Sequence, residues 1–275
     1  PYTSRRLNFH EECSMRHNSN QSEIHPFPEG YPQEGLLEGR NALQEALRSG
    51  RTIDKVWVAA GDTDRNLARL TSEAKEQGAV VIPVDRRKLD NMSITHAHQG
   101  VIALAAARPY ATLDDIFALA ESRGEAPLIV VCDELSDPHN LGAIIRSAEC
   151  AGAHGVVIPK RRSAGLTPVV AKASAGAIEY MPVARVSNIS SALKELQARG
   201  VWVYGTAADG TQELFDANFQ GPTAIVIGNE GDGMGRLVRQ TCDVLVRIPM
   251  RGRISSLNAS AAAAILLYEA VRQRK

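Results

Sequence analysis

The chain has 275 residues, 44% hydrophobic and 23% charged, with 31 basic and 31 acidic side chains and a formal net charge of zero. This is the composition of a globular chain with one large domain or two smaller ones. It excludes attachment to nucleic acid by bulk charge alone, leaving only local patches for that task, and no run approaches the roughly 18 apolar residues of a membrane span.

Residues 1–33 are rich in Asn, Ser, Gln, Pro, Glu and His and read as a disordered tail without a secretory signal. Leu36 to Arg48 reads as one helix with Leu37, Leu43 and Leu47 on its apolar stripe. Lys55 to Ala60 reads as a strand, Asn66 to Gln77 as a helix, and Val80 to Val84 and Val101 to Ala106 as strands, giving a small α/β unit over 34–107. His96 and His98 fall in a loop and read as surface residues. The segment 108–124, with one short helix, reads as a linker. From 125 to 275 the alternation becomes regular. Strands are expected at Leu128–Cys132, Gly155–Ile158, Val201–Tyr204, Ala224–Ile227 and Val244–Ile248, and helices at Leu141–Ala151, Ile189–Arg199, Met234–Cys242 and Asn258–Arg274. Apolar strands alternating with helices predict a parallel sheet covered on both faces, with ligands beyond the carboxyl ends of the strands. Cys13, Cys132, Cys150 and Cys242 form no C-x-x-C pair, and three of them lie in apolar or helical contexts, which suits packed thiols in a reducing, cytoplasmic setting.

Three motifs lie at such strand ends. The first runs from Asp133 to Arg146. Asp137 followed by Pro138 is a helix start. Asn140 and Arg146 then lie six residues apart, which is about 600° of helix and leaves their side chains diverging by roughly 120°. A helix start carrying Asn and Arg suits an anionic substrate; a plain capped helix with an exposed Arg is the simpler reading. Asp133 and Asp137 as a hard-metal pair is a third, lacking any further acidic cluster. The second motif, Gly228 to Gly235, lets backbone approach a ligand closely or forms a simple turn. Its spacing is not G-x-G-x-x-G, and no carboxylate stands at 244–254 to hold a ribose, which disfavours a nucleotide-dependent oxidoreductase. Glu230 within it needs solvent or a partner. The third motif runs from Ile248 to Ser260 into an alanine-rich helix. Ser256 and Asn258 suit caps, and Arg251 and Arg253 suit phosphate. Lys160, Arg161 and Arg162 follow a strand and are either a solvated loop or contacts to RNA phosphates.

Taken together, Asp137-Pro-x-Asn-x-Gly-x-x-x-Arg146, Gly228-Asn-Glu-Gly231 and Ile248-Pro-Met…Ser256-Leu-Asn258 resemble the three motifs of the SpoU (TrmH) branch of SPOUT methyltransferases, over about residues 125–275. Residues 36–107 resemble that group's substrate-binding domain, of ribosomal-protein L30e type. The resemblance implies an α/β fold in which a C-terminal SPOUT domain carries a deep trefoil knot and a small L30e-like domain precedes it. It implies a cytoplasmic homodimer that uses S-adenosylmethionine to methylate the ribose 2′-hydroxyl of a guanosine in 23S ribosomal RNA, with no role for DNA, membrane or metal. Alternatives are a transfer RNA target, a resistance methylase acting on ribosomal RNA, and an RNA-binding assembly protein without catalysis. By motif match the catalytic set is Arg146, Asn140, Glu230, Ser256 and Asn258, and the cofactor contacts are Gly228, Asn229, Gly231, Ile248, Met250 and Leu257. Arginine is effectively always protonated, so Arg146 suits a phosphate anchor that stabilises alkoxide charge better than a base.

Overall fold

The computed structural model describes residues 35–229 and 231–274; the expected tail at 1–33 and Glu230 lie outside the described residues. The first unit comprises β1 (Leu36–Glu38), α1 (Arg40–Arg48), β2 (Ile53–Ala59), α2 (Arg65–Glu76), β3 (Val80–Val84), α3 (Arg86–Met92) and β4 (Val101–Ala105). Its sheet has the order β1-β4-β2-β3, with β4 antiparallel to both neighbours and β2 parallel to β3. The single helix expected over Leu36–Arg48 is instead a strand followed by a helix. Gly39 breaks it at φ 88°, a left-handed conformation open to glycine at little cost, and Leu36 and Leu37 then pair with Leu104 and Ala103. Helix α3 was not foreseen; Asp85 caps it by accepting from the Arg87 N–H at 2.8 Å, and it buries Leu89 and Met92. His98 is a buried residue, not a surface one. Its Nε2 lies 2.8 Å from Asp90 Oδ1, and its Nδ1 accepts from the Gly100 N–H.

The segment read as a linker carries α4 (Leu113–Arg123), opened by a capping box between Thr112 and Asp115. Leu113 and Ile116 are buried against Ile129, Val131 and Val157, so the segment belongs to the second core. Gly155 makes room for it, since a Cβ there would fall 2.4 Å from the Ile116 side chain.

The second unit continues with β5 (Leu128–Cys132), α5 (Pro138–Cys150), β6 (Gly155–Pro159), α6 (Pro168–Ala173), β7 (Val183–Val186), α7 (Ile189–Ala198), β8 (Trp202–Thr206), β9 (Gln212–Glu213), β10 (Thr223–Ile227), α8 (Arg236–Thr241), β11 (Val244–Arg247) and α9 (Ala259–Gln273). Seven strands form one sheet in the order β7-β6-β5-β10-β8-β11-β9, every pair parallel. The run Leu128–Cys132 shows why it reads as unbroken hydrophobic sequence. Leu128, Val130 and Cys132 enter the core under α5 and α9, while Ile129 and Val131 enter the core under α4 and α7, so both faces of the strand are buried. Leu141, Ile144 and Ile145 of α5 meet Leu266 and Leu267 of α9 there, all 0% exposed; each contributes about 1.5–3 kcal/mol by leaving water. All strand carboxyl ends lie along one edge. Among the described residues no helix is long and apolar enough to cross a membrane.

Candidate active site

The first motif begins where β5 ends. Asp133 donates its N–H to the Ile227 carbonyl at 2.8 Å, and its buried side chain accepts from the Gly235 N–H at 2.7 Å. Asp137 then caps α5 by accepting from the His139 N–H at 2.9 Å, with Pro138 at the first helical position. Both carboxylates thus serve backbone amides. Burial pushes the Asp133 carboxyl above the usual range, opposed by the Gly235 N–H and reinforced by the charge of Glu134. A carboxyl raised in the folded state stabilises at low pH, and that contribution is lost as pH rises through the raised value. Asp133→Asn keeps an acceptor for Gly235 and cannot ionise. Its stability relative to the parent is therefore expected to rise from acid to neutral pH, measured by urea unfolding across that range; parallel profiles would remove the assigned cause.

Asn140 is only 6% exposed, one turn into α5. Asn258 caps α9: its Oδ1 accepts from the Ser260 N–H at 3.0 Å, the Ala261 N–H at 3.3 Å and the Ser260 hydroxyl at 2.6 Å. Those donors orient the amide, so that Asn258 Nδ2 points away and donates to Asn140 Oδ1 at 2.9 Å. The pair ties the start of α5 to the start of α9, and thereby the first motif to the third. On the far side of α5, Arg146 is exposed and has no hydrogen-bond or ion-pair partner among the described residues.

The second motif is a tight loop beyond β10. Asn229 and Gly233 exchange both backbone bonds, at 3.1 and 3.2 Å, and Asn229 Oδ1 accepts from the N–H groups of Gly231 and Asp232 at 2.9 and 2.7 Å. The crossing is close: a Cβ on Gly228 would sit 2.3 Å from the Gly233 carbonyl carbon. Gly228→Ala is expected to cost about 1–3 kcal/mol through overpacking and to displace the loop. Thermal unfolding reads the first effect and calorimetric titration with S-adenosylmethionine the second; wild-type affinity in the variant would contradict it.

This loop and the third motif face each other across a cleft of about 670 Å³, within the roughly 300–1,000 Å³ of small-molecule sites. Gly228, Asn229, Gly231, Ile248, Met250 and Leu257 all line it, with Ser256 beside them. Arg146, Asn140 and Asn258 do not. A smaller cavity of about 330 Å³ lies over the α5 start, bounded by Glu134, Asp137 and Asn140, and shares Asn229 and Gly231 with the main cleft. Asn229 and Gly231 therefore stand between a helix N-terminus and the larger cleft. Sequence reasoning missed the end of β8 and the loop after it: Thr206, Ala207 and Asp209 also line the cleft. Thr206 donates to the Val226 carbonyl at 2.9 Å, and Asp209 takes two bonds of 2.8 Å from Arg239. The available signal was that ligands collect beyond parallel strand ends, which applied to Val201–Tyr204 as well. Apolar Ile248, Leu257 and Ala262 beside polar Thr206, Asn229 and Ser256 suit a ligand with a flat base, a ribose and a charged tail, and the Gly228 crossing lets backbone approach it.

Comparison with known proteins follows the same division. The profile of the SpoU rRNA Methylase family matches residues 127–268, and that for RNA 2'-O ribose methyltransferase substrate binding matches 36–111. YacO of Bacillus subtilis, named for the TrmH family of tRNA/rRNA methyltransferases, is 49% identical over 242 residues, which span 88% of this chain and 97% of that protein. The 23S rRNA (guanosine-2'-O-)-methyltransferase RlmB of Ralstonia nicotianae is 46% identical over 241 residues, spanning 87% and 96%. Among solved structures, the SpoU methyltransferase AviRb of Streptomyces viridochromogenes in complex with AdoMet is 30% identical with a TM-score of 0.56, covering 87% of this chain and 90% of that one.

Proposed function

Because the chain belongs to the SpoU rRNA methylase family, we propose that it methylates the ribose 2′-hydroxyl of a guanosine in 23S ribosomal RNA. Its methyl donor is S-adenosylmethionine. The observation that supports the reading most is the convergence of the second and third motifs on one cleft at the carboxyl edge of the sheet. Gly228, Asn229, Gly231, Ile248, Met250 and Leu257 would hold the cofactor there. Bound in that cleft, it supplies a methyl group on a positively charged sulfur, ready for transfer to an oxygen nucleophile.

The chain's own task is to place the ribose and lower the cost of its developing negative charge. Arg146 anchors the phosphate beside the target nucleotide and stabilises alkoxide charge while remaining protonated. Asn140 and Asn258 position the motif loops through their mutual bond. Ser256, exposed at the cleft, binds the ribose. Glu230, outside the described residues, orients Arg146 by motif match. The requirement for a 2′-hydroxyl makes RNA the substrate, not DNA.

A homodimer is supported by exposed apolar side chains around the cleft mouth and on α9: Ile254 at 75%, Leu257 at 40%, Ile265 at 38% and Tyr268 at 53%. It is supported equally by Arg146 lining neither cavity of its own chain. A trefoil knot in the 125–275 unit is supported by the strand order, in which β10 and β11 enter between strands laid down earlier. The second reading of the target is a transfer RNA, which the name of YacO also covers. Mapping 2′-O-methyl groups on ribosomal and transfer RNA from cells with and without the protein separates them. One 23S guanosine losing its methyl group is the expected result, and a change confined to transfer RNA would transfer the proposal to the second reading.

A further inference from the structure

A second cleft, of about 680 Å³, lies between the two sheets. One wall is α2 and the start of β3, with Thr71, Ser72 and Lys75; the other is the chain beyond β6 and β7, with Lys160, Arg161 and Ser187. Among the described residues no acidic or aromatic side chain lines it. Lys75, Lys160 and Arg161 have no ion-pair partner among the described residues, whereas neighbouring Arg162 and Arg69 are paired with Glu134 and Glu73. Lys160 leans across the gap: a Cβ built on Gly78 would stand 3.9 Å from its Nζ. A cleft without aromatic surface does not suit a drug-like apolar ligand. The Thr71 hydroxyl donates to the Leu67 and Ala68 carbonyls and the Ser72 hydroxyl to Glu76 Oε1, so it is the three uncompensated cations that suit a chain of phosphates.

Its position selects the ligand further. The cleft opens at the carboxyl ends of β6 and β7, and the cofactor cleft at those of β10, β8 and β11. In the order β7-β6-β5-β10-β8 these are neighbouring stretches of one edge, with β6 and β10 separated by two strand spacings, about 10 Å. The α5 start and its small cavity fill the interval at β5. The intervening loops are held in unusual backbone: Glu134 and Arg162 have φ of 56° and 57° and are joined by an ion pair of 3.1 Å. Non-glycine residues in that region are uncommon and carry strain that gathers at functional sites.

We propose that the cleft between α2–β3 and the β6–β7 ends grips the RNA phosphate backbone a few nucleotides from the target ribose. The carboxyl edge of the large sheet is then one continuous track, from the α2 surface through the start of α5 to the cofactor. The inference rests on RNA being the substrate and adds which surface carries it into the site.

The test uses the full chain with Lys75→Gln, Lys160→Gln and Arg161→Gln combined, and Arg161→Gln alone. Binding of a fluorescein-labelled single-stranded RNA of mixed sequence is followed by anisotropy across a KCl series. The triple variant is expected to lose about 2 from the slope of log affinity against log salt, at ~0.7 per phosphate contact, and to bind at least ~10-fold more weakly at 0.1 M salt. The single variant is expected to lose about a third of that slope change. Calorimetric affinity for S-adenosylmethionine and the thermal midpoint should both stay unchanged. Unaltered slope and affinity in both variants, with the parent protein binding RNA, would overturn the cleft assignment and leave the proposed function standing. Displacement of the RNA from the parent by poly-L-glutamate as readily as by polyuridylate of equal charge would assign the cleft to an acidic protein instead. Failure of the parent to bind RNA at all would remove the proposed function and this inference with it.

Discussion

Replacing Arg146 with alanine is expected to lower methyl transfer to RNA by about 10²–10³-fold, the loss typical of removing one preorganised stabiliser of developing oxyanion charge. Calorimetric affinity for S-adenosylmethionine should remain that of the parent, because Arg146 does not line the cleft. Stability should be unaffected as well, since the side chain is exposed and makes no ion pair among the described residues. A folded variant that had lost cofactor affinity would show the assigned role to be wrong. The same variant tests the dimer. If Arg146 of one copy serves the cleft of the other, mixing equal amounts of Arg146→Ala and Gly228→Ala chains gives heterodimers with one complete site each, and about a quarter of parental activity returns. If Arg146 serves its own cleft, no heterodimer holds a complete site and the mixture stays inactive.

The alternation of apolar strands with helices was legible because β5, β6, β8 and β10 are buried on both faces and leave long apolar runs. The strands missed carry no such signal. β7 is Val-Ala-Arg-Val, with an arginine turned to the other sheet, and β9 has two residues. β1 reads as part of a helix because Leu37 falls in with Leu43 and Leu47 on a helical stripe, although Gly39 marks the break. In the site, the divergence of Asn140 and Arg146 followed from helical geometry, and the residues are respectively buried and exposed. The bond from Asn258 to Asn140 was not legible. It joins positions 118 residues apart, and only the packing of α9 against α5 brings them together. For the same reason Asp209 and Thr206 went unnoticed: their place in the cleft depends on β8 lying beside β10, a matter of strand order.

Arg185→Met is expected to cost about 3–5 kcal/mol of stability near neutral pH, the range for removing one partner of a buried ion pair. Asp54 of β2 is 1% exposed and accepts hydrogen bonds from Arg185 of β7 and from the Tyr110 hydroxyl. Arg185 also donates to the Gly78 carbonyl at 2.9 Å, and its guanidinium carbon lies 4.1 Å from the centre of the Tyr110 ring. The Tyr110 hydroxyl in turn accepts from the Leu166 N–H at 2.9 Å. This network bolts the four-stranded sheet to the seven-stranded one. Gly165 is part of the fit, since a Cβ there would fall 2.6 Å from Asp54 Oδ2, and that oxygen has no hydrogen-bond partner among the described residues. Burial pushes the Asp54 carboxyl up; Tyr110, Arg185 and Lys55 pull it back only in part, so it remains raised. Its contribution to stability is present below the ordinary carboxylate range and lost as pH rises through the raised value. Without Arg185 the pKa rises further and the loss of stability becomes more pH-dependent. Urea unfolding should therefore show a large deficit at about pH 7 and a much smaller one at about pH 4, where the carboxyl takes up a proton. Adding Asp54→Leu should restore most of the difference, because an apolar pair needs no compensation in that site. Equal deficits at both pH values, without recovery in the double variant, would mean that Arg185 acts through packing alone. On the proposed RNA track the bolt matters to function, because RNA gripped by α2 would reach the proposed cofactor cleft at a fixed distance only while the two sheets stay joined. Loosening it should raise KM for RNA more than it lowers kcat, measured at a temperature where the variant remains folded.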